Sequence, residues 1–249
     1  MSLVFSDTSN ENGIIQVIER NLFGDDGIGR ITGSASLLKQ FTSEVNLAYS
    51  RLLGIIFKAD GRADYDDSNH TDYPIITTNI VQGQKDYPLT TDGSGNLVLE
   101  YKKAAVLSSA TATTYDEIEP FDELEDRDNA IVTGDTNQGV PSRYGLIANG
   151  IFFDVAPSYS ATNGLKLFVN REQTFFLTTD TTKKPGFAGL YHEYLALRPS
   201  AQYAKRNLMS SAPTFESDSL RMEREVEDFY ARRNQDERKI FTPKITNYV

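Results

Sequence analysis

Few side chains here could do chemistry. Of the 249 residues two are histidine, His70 and His192, and none is cysteine. A Ser-His-Asp triad has to use one of those imidazoles. Thiol nucleophiles, disulfide scaffolds and cysteine zinc sites are excluded. His192 stands beside Tyr191, Glu193 and Tyr194, with no Ser or Asp tied to it by spacing. It reads as a histidine on a helix face, not a general base. The acids fall mostly in two clusters, Asp60 to Asp72 and Asp116 to Asp128. The first contains Asp64-Tyr65-Asp66-Asp67-Ser68-Asn69, which lacks the central Gly and bidentate Glu of an EF-hand and reads as a solvated loop. Catalytic carboxylates need a pocket that drives their pKa values apart. The second cluster reads instead as a solvent-facing turn and short helix. No GxSxG elbow, GxxxxGK[ST] loop or HExxH helix is present. Gly24-Asp25-Asp26-Gly27-Ile28-Gly29 is Gly-rich but acidic, so it repels phosphate and reads as a flexible loop. No catalytic residue, cofactor or metal ligand is expected.

Charge narrows the partners. Lys and Arg number 25 and Asp and Glu 35, a net charge of −10. Residues 1–130 hold 10 basic and 22 acidic residues, while the rest is close to balanced. A protein that grips nucleic acid over its whole surface is basic, so tight DNA binding is not expected. Residues 1–12 carry no basic region followed by an apolar run, and the apolar runs are too short to span a membrane. Asn69-His70-Thr71 matches a glycosylation sequon by chance.

The elements that carry these residues follow from periodicity. Ile14, Ile15, Ile18 and Leu22 form a helical stripe over 13–23. A longer helix runs from Ser34 or Ser36 to about Lys58, with Leu38, Phe41, Val45, Ala48, Leu52 and Ile55 on one face. Leu37, Tyr49, Leu53 and Ile56 widen that face enough for two neighbours. From about Tyr73 the period becomes two, with strands at 74–81, 86–89, 97–107 and 165–169. Asn149-Gly150 predicts a type I′ hairpin that sets Ala148 opposite Ile151, Leu146 opposite Phe153 and Tyr144 opposite Val155. Tyr73, Tyr87, Tyr101 and Tyr144 fall in strands and read as packing residues. Helical spacing returns at Leu190, Tyr194, Leu197, Ala201, Ala204 and Leu208, where Pro199 should kink or divide the helix. A final helix from about Phe215 to Arg238 is dense in charge and thin in apolar residues, which suits an exposed or partner-facing helix.

The fold class is therefore α+β: a helical bundle from the N- and C-terminal segments with a β-rich, sandwich- or barrel-like insertion. The boundaries are 1–72 for the first helices, 73–186 for the insertion, 187–238 for the last helices and 239–249 for an extended tail. That tail carries Ile240, Phe241, Ile245, Tyr248 and Val249 around Pro243. A solvated tail has little use for so many apolar groups.

Three stretches carry a resemblance: Tyr73 to Leu89, Gly139 to Pro157, and Phe187 to Leu197 leading to Ala201-Gln-Tyr-Ala-Lys205. In that order, flanked by helices, they resemble the head-to-tail adaptors of tailed bacteriophages, the head-completion rings beneath the portal. The resemblance implies a structural protein of the virion head–tail interface, assembled in the host bacterial cytoplasm, with no enzymatic step. It implies a ring, usually of twelve subunits, whose partners are the portal protein on one side and tail or nozzle proteins on the other. DNA passes through its channel without specific binding. It places portal docking at the C-terminus, which makes Phe241, Pro243, Ile245, Tyr248 and Val249 the candidate portal-binding residues. The acidic 116–128 stretch and Pro199 depart from a plain adaptor. Another tail or collar subunit, or a carbohydrate-binding or hydrolytic β domain, are the alternatives.

Overall fold

Two amphipathic stripes near the N-terminus find their partners at the far end of the chain. The computed structural model describes residues 2–59, 75–92, 95–121, 138–147 and 150–233. The chain forms two units, 1–63 with 175–249, and 64–174. Fold class is α+β, with a β-rich unit inserted between the two halves of a helical one.

The helical unit comprises α1 (Ile14–Phe23), α2 (Ala35–Ala59), α3 (Tyr194–Arg206) and α4 (Ala212–Arg233), with 3-10 turns at Asp25–Gly27 and Gly189–Tyr191. The α1 stripe of Ile14, Ile15, Ile18 and Leu22 is buried. Its first N–H groups, which a helix leaves unpaired, donate to the segment before it, Ile14 to Val4 O at 2.9 Å and Ile15 to Phe5 O at 3.1 Å. Gly24 ends α1 at φ +73°, a conformation that favours glycine. Helix α2 buries Phe41, Val45, Ala48, Tyr49, Leu52, Leu53 and Ile56 and packs on both α3 and α4.

Three expectations for this unit are corrected. Of the kink or division expected at Pro199, the division is absent: α3 runs through it, with α1, α2 and α4 all packed on α3 to offset one missing hydrogen bond. The last helix is not merely exposed. It buries Ser219, Glu223, Val226 and Tyr230, spaced 4, 3 and 4 apart, so its inward stripe is half polar. Residues 175–186, expected in the insertion, belong to the helical unit. Asn46 on α2 clamps Phe176, its Nδ2 donating to Phe176 O at 3.0 Å while Phe176 N–H donates back to Oδ1 at 2.8 Å. The Phe176 ring stacks on Phe5 at 4.8 Å and on Tyr49 at 5.6 Å, and Gly186 N–H donates to the Tyr49 hydroxyl at 2.8 Å.

The inserted unit contains β1 (Ile75–Ile80), β2 (Asp86–Pro88), β3 (Val98–Leu107), β4 (Tyr115–Pro120), β5 (Gln138–Gly139), β6 (Arg143–Ile147), β7 (Gly150–Phe153), β8 (Ala156–Pro157) and β9 (Ala161–Arg171). Seven form one curled mixed sheet in the order β1-β9-β3-β4-β6-β7-β2, and β5 pairs with β8. Only β4–β6 is parallel within the seven. Ile76, Ile80, Val106, Ile118, Ile151, Phe153, Leu165, Leu167 and Val169 fill its core. The two edge strands are linked through a side chain: the Tyr87 hydroxyl on β2 accepts from Val81 N–H at 3.0 Å and donates to Val81 O at 3.3 Å.

Two readings of this unit are also corrected. The first part of the acidic run is a strand, not a turn and helix: in β4, Ile118 is buried while Asp116, Glu117 and Glu119 are exposed. The hairpin register is displaced. Tyr144 pairs with Phe153, Leu146 with Ile151 and Ile147 with Gly150. Gly150 is thus a strand residue, which also pairs with Pro88. A Cβ there would lie 2.9 Å from Tyr87 O, so close backbone approach requires the glycine. Because the displacement is even, Tyr144, Leu146, Ile151 and Phe153 still share one face.

Candidate functional site

The groups singled out in the sequence are, where described, taken up by the fold. His192 is 1% exposed. Leu3 N–H donates to its Nδ1 at 3.1 Å and its Nε2 lies 3.1 Å from Phe187 O. Nδ1 also lies 3.1 Å from Leu3 O, so both ring nitrogens are held by backbone groups. Burial lowers its pKa, against the opposing pull of the Phe187 and Leu3 backbone groups. Its ring meets Phe187 edge-on at 5.0 Å. This imidazole ties the N-terminal segment to the helices.

The Gly-rich stretch after α1 is not a free loop, and this corrects the sequence reading. Glu19, fully buried on α1, accepts four hydrogen bonds from it: Gly29 N–H to Oε2 at 3.0 Å, and Ile31 N–H, Thr32 N–H and Thr32 Oγ1 to Oε1 at 2.7, 2.9 and 3.3 Å. Backbone N–H groups that could cradle a phosphate are already occupied by an internal carboxylate.

A second polar cluster escaped the sequence reading. Glu223 on α4 accepts from Arg51 Nε at 2.8 Å, Arg51 Nη2 at 3.1 Å and the Tyr194 hydroxyl at 2.7 Å. Burial pushes the Glu223 carboxyl up, but the Arg51 and Tyr194 hydrogen bonds and the Arg51 and Arg198 charges outweigh it, so it sits below the ordinary carboxylate range. The Tyr194 hydroxyl is pushed far up by burial and by Glu223. Its position in the 219–223–226–230 stripe was the available signal, had polar residues been counted as inward-facing.

Beside this cluster α4 presents an open groove of about 500 Å³, lined by Tyr191, Glu225, Asp228, Phe229 and Arg232. The Phe229 ring meets Tyr191 at 5.5 Å and Tyr230 at 5.3 Å, edge-on in both cases. Phe229 remains 38% exposed and neighbouring Leu190 70%. Glu225 and Asp228 add acid on the same helix face, at i and i+3. The groove thus has an apolar floor and a rim of mixed charge, Glu225 and Asp228 beside Arg232, with Glu225 also paired to Arg221 at 3.7 Å.

In the inserted unit, Asp92 pairs with Arg171 at 3.4 Å, both side chains about nine-tenths buried. Asp92 also caps Asn96, whose N–H and Nδ2 donate to it at 2.8 and 2.9 Å. Tyr87 and Tyr144 are buried in the sheet, and burial raises the pKa of Tyr87, Tyr101 and Tyr144 alike. Tyr87 and Tyr144 belong to the buried core of the sheet, and Tyr101 packs against it.

Phe241, Pro243, Ile245, Tyr248 and Val249 lie outside the described residues, as do His70, Tyr73, Asp60 to Asp72 and Asp122 to Asp128. Among the described residues no group of three His, Asp or Glu side chains could hold a metal ion, and no helix is long and apolar enough to cross a membrane. No protein-family model matches the chain, and no curated protein matches it significantly.

Proposed function

We propose that the chain is a structural subunit of a tailed-phage virion, a head-to-tail adaptor that forms a ring beneath the portal and leaves a channel for DNA. The observation that carries this reading is architectural. A helical unit made from both ends of the chain receives a β-rich unit at 64–174, and the three stretches that resemble adaptors occur in the matching order along it. Further support comes from the chemistry already described: His192 and Glu19 are committed to backbone groups inside the fold.

In this reading the subunit is monomeric or weakly associated when free, and becomes a ring on its portal. Phe241, Pro243, Ile245, Tyr248 and Val249 are the portal anchor. An extended segment of this kind uses backbone hydrogen bonds for affinity and alternate side chains for specificity. Each tail contributes little once its ordering cost is met, and the ring multiplies it through avidity. The excess acid of residues 1–130 keeps DNA from adhering.

The test is sizing chromatography and negative-stain microscopy of the subunit with and without a tailed-phage portal. Rings on the portal that are lost on deleting residues 239–249, with the fold retained, support the reading. A strict monomer that ignores portals and cleaves glycans overturns it, and a submicromolar, salt-sensitive affinity for duplex DNA contradicts the channel role.

A further inference from the structure

Leu208 occupies a backbone position that suits it badly. It follows α3, where two hydrogen bonds close the turn, Met209 N–H to Ala204 O at 2.9 Å and Leu208 N–H to Lys205 O at 3.3 Å. This pair of bonds ends a helix on a left-handed residue, a place that glycine fills by default. Leu208 has φ +53°, and no packing explains it, since the residue is 92% exposed. A side chain disfavours this conformation roughly 10-fold, whereas leucine favours the right-handed one. The hairpin of α3 and α4 therefore turns on a residue that prefers it open. Helix α4 is also held by few contacts. Of its described residues Ser219, Glu223, Val226 and Tyr230 are buried, and their partners are specific. Glu223 takes Arg51 of α2 and Tyr194 of α3, and the Tyr230 hydroxyl accepts from Ala188 N–H at 3.1 Å. Pro213 lies in the first turn of α4, where a proline is tolerated, so the helix can move as one body.

We infer that α4 is an exchangeable element: in a reciprocal pair each chain opens at Leu208 and docks its α4 on the α2 and α3 of a second copy. A short hinge under strain beside a separately docked helix is the arrangement that invites such exchange. The Glu223 and Tyr230 contacts are remade between chains, so the pair keeps what the single chain has and relieves two strained turns. Lost freedom of association opposes it, and the pair therefore grows with protein concentration. The inference goes beyond the adaptor reading and needs no portal.

The absence of native cysteine makes the test clean. Lys205 on α3 and Glu216 on α4 form an ion pair at 3.6 Å, with both side chains exposed. Two full-length proteins are made, one carrying only Lys205→Cys and the other only Glu216→Cys. They are mixed at millimolar concentration, diluted to micromolar and treated with a short bismaleimide, and the products are resolved by size and peptide mass. With one cysteine per chain, positions 205 and 216 come together only when α4 of one chain sits on α3 of the other. In the control, Leu190→Cys replaces Lys205→Cys; Leu190 is 70% exposed and precedes α3, at the opposite end of that helix from Lys205. The expected result is a link between 205 and 216 about 10-fold above that between 190 and 216, because docking holds the pair far above its bulk concentration. Adding Leu208→Gly to both proteins should lower the link by about 100-fold, roughly 10-fold for each of two hinges. Leu208→Ala keeps a side chain in the left-handed turn and should retain it. A link no stronger than the control overturns the exchange, and a link that Leu208→Gly leaves unchanged overturns Leu208 as its hinge. None of these outcomes depends on a portal, so failure here is distinct from failure of the adaptor reading.

Discussion

Replacing Glu19 by Gln should unfasten the loop after α1 without unfolding the helices. The substitution keeps the side chain's size but turns one acceptor oxygen into an NH2 donor. Glu19 receives three backbone N–H groups and one hydroxyl, shared between both oxygens, so the amide must face at least one N–H with another N–H. Hydrogen bonds to a charged acceptor contribute roughly 1.5–3 kcal/mol, and a buried donor left unpaired costs about 1–3 kcal/mol. Part of this is recovered where the loop reaches water, so a net local loss of about 2 kcal/mol is expected. That corresponds to roughly a 30-fold rise in the opened population. Arg30 sits within the loop and is exposed, while Ile31 after it is fully buried. Trypsin can cut after Arg30 only when the loop opens, and under fast reclosing the rate follows the opened population. Cleavage at Arg30 should therefore accelerate by about that factor in Glu19→Gln, while cleavage within α4 changes little. An unchanged rate at Arg30 would refute the view that this carboxylate holds the loop.

Glu223→Ala leaves the Tyr194 hydroxyl buried without its acceptor and should cost about 3 kcal/mol in urea unfolding, whereas Tyr194→Phe, which leaves the Arg51 pair in place, should cost about 1 kcal/mol. A larger loss for Tyr194→Phe than for Glu223→Ala would show that the carboxylate is not the centre of the cluster. His192 titrates below its ordinary value of 6.5, so below that pH the unfolded chain takes up a proton that the folded one refuses. Stability should fall as pH drops from about 6.5, and urea midpoints at about pH 5 and pH 7.5 should differ less in His192→Gln than in the parent. Gly150→Ala drives a Cβ against Tyr87 O and should destabilise by roughly 1–3 kcal/mol, read in the near-ultraviolet signal of the tyrosine-rich sheet; full tolerance would refute the close approach of β2 and β7.

What the sequence revealed, and what it hid, divides by the range of the interaction. The stripes of α1 and α2 were legible because apolar side chains alone make them, at spacings of three and four. The inward stripe of α4 was not, since Ser219 and Glu223 carry half of it and count as solvent-facing in any hydropathy reading. Strand β4 was hidden the same way: three acids on its exposed positions mask the single inward Ile118. Asn149-Gly150 was read for its turn chemistry, whereas Gly150 answers to a strand far away in sequence, β2. Residues 175–186 have no periodicity, and only the Asn46 clamp across the chain shows where they belong. Glu19 and His192 could not be interpreted from spacing because most of their partners are backbone groups, which leave no mark in the residue types. The groove residues Tyr191, Glu225, Asp228 and Phe229 were visible only as two separate helical stretches.

The split composition of the helical unit has a consequence for synthesis. Its first half, 1–63, leaves the ribosome before the whole of 64–174 and well before the residues that complete it. At roughly 5–20 residues per second the apolar faces of α1 and α2 wait on the order of ten seconds for α3 and α4. The β-rich unit contains all of its own strands and can form within that interval, while Phe41, Tyr49 and Leu52 still lack the partners that bury them. Nascent chains stalled before Phe175 should therefore draw chaperones to the N-terminal helices, and a crowded polysome is where neighbouring copies of this subunit first risk sticking together.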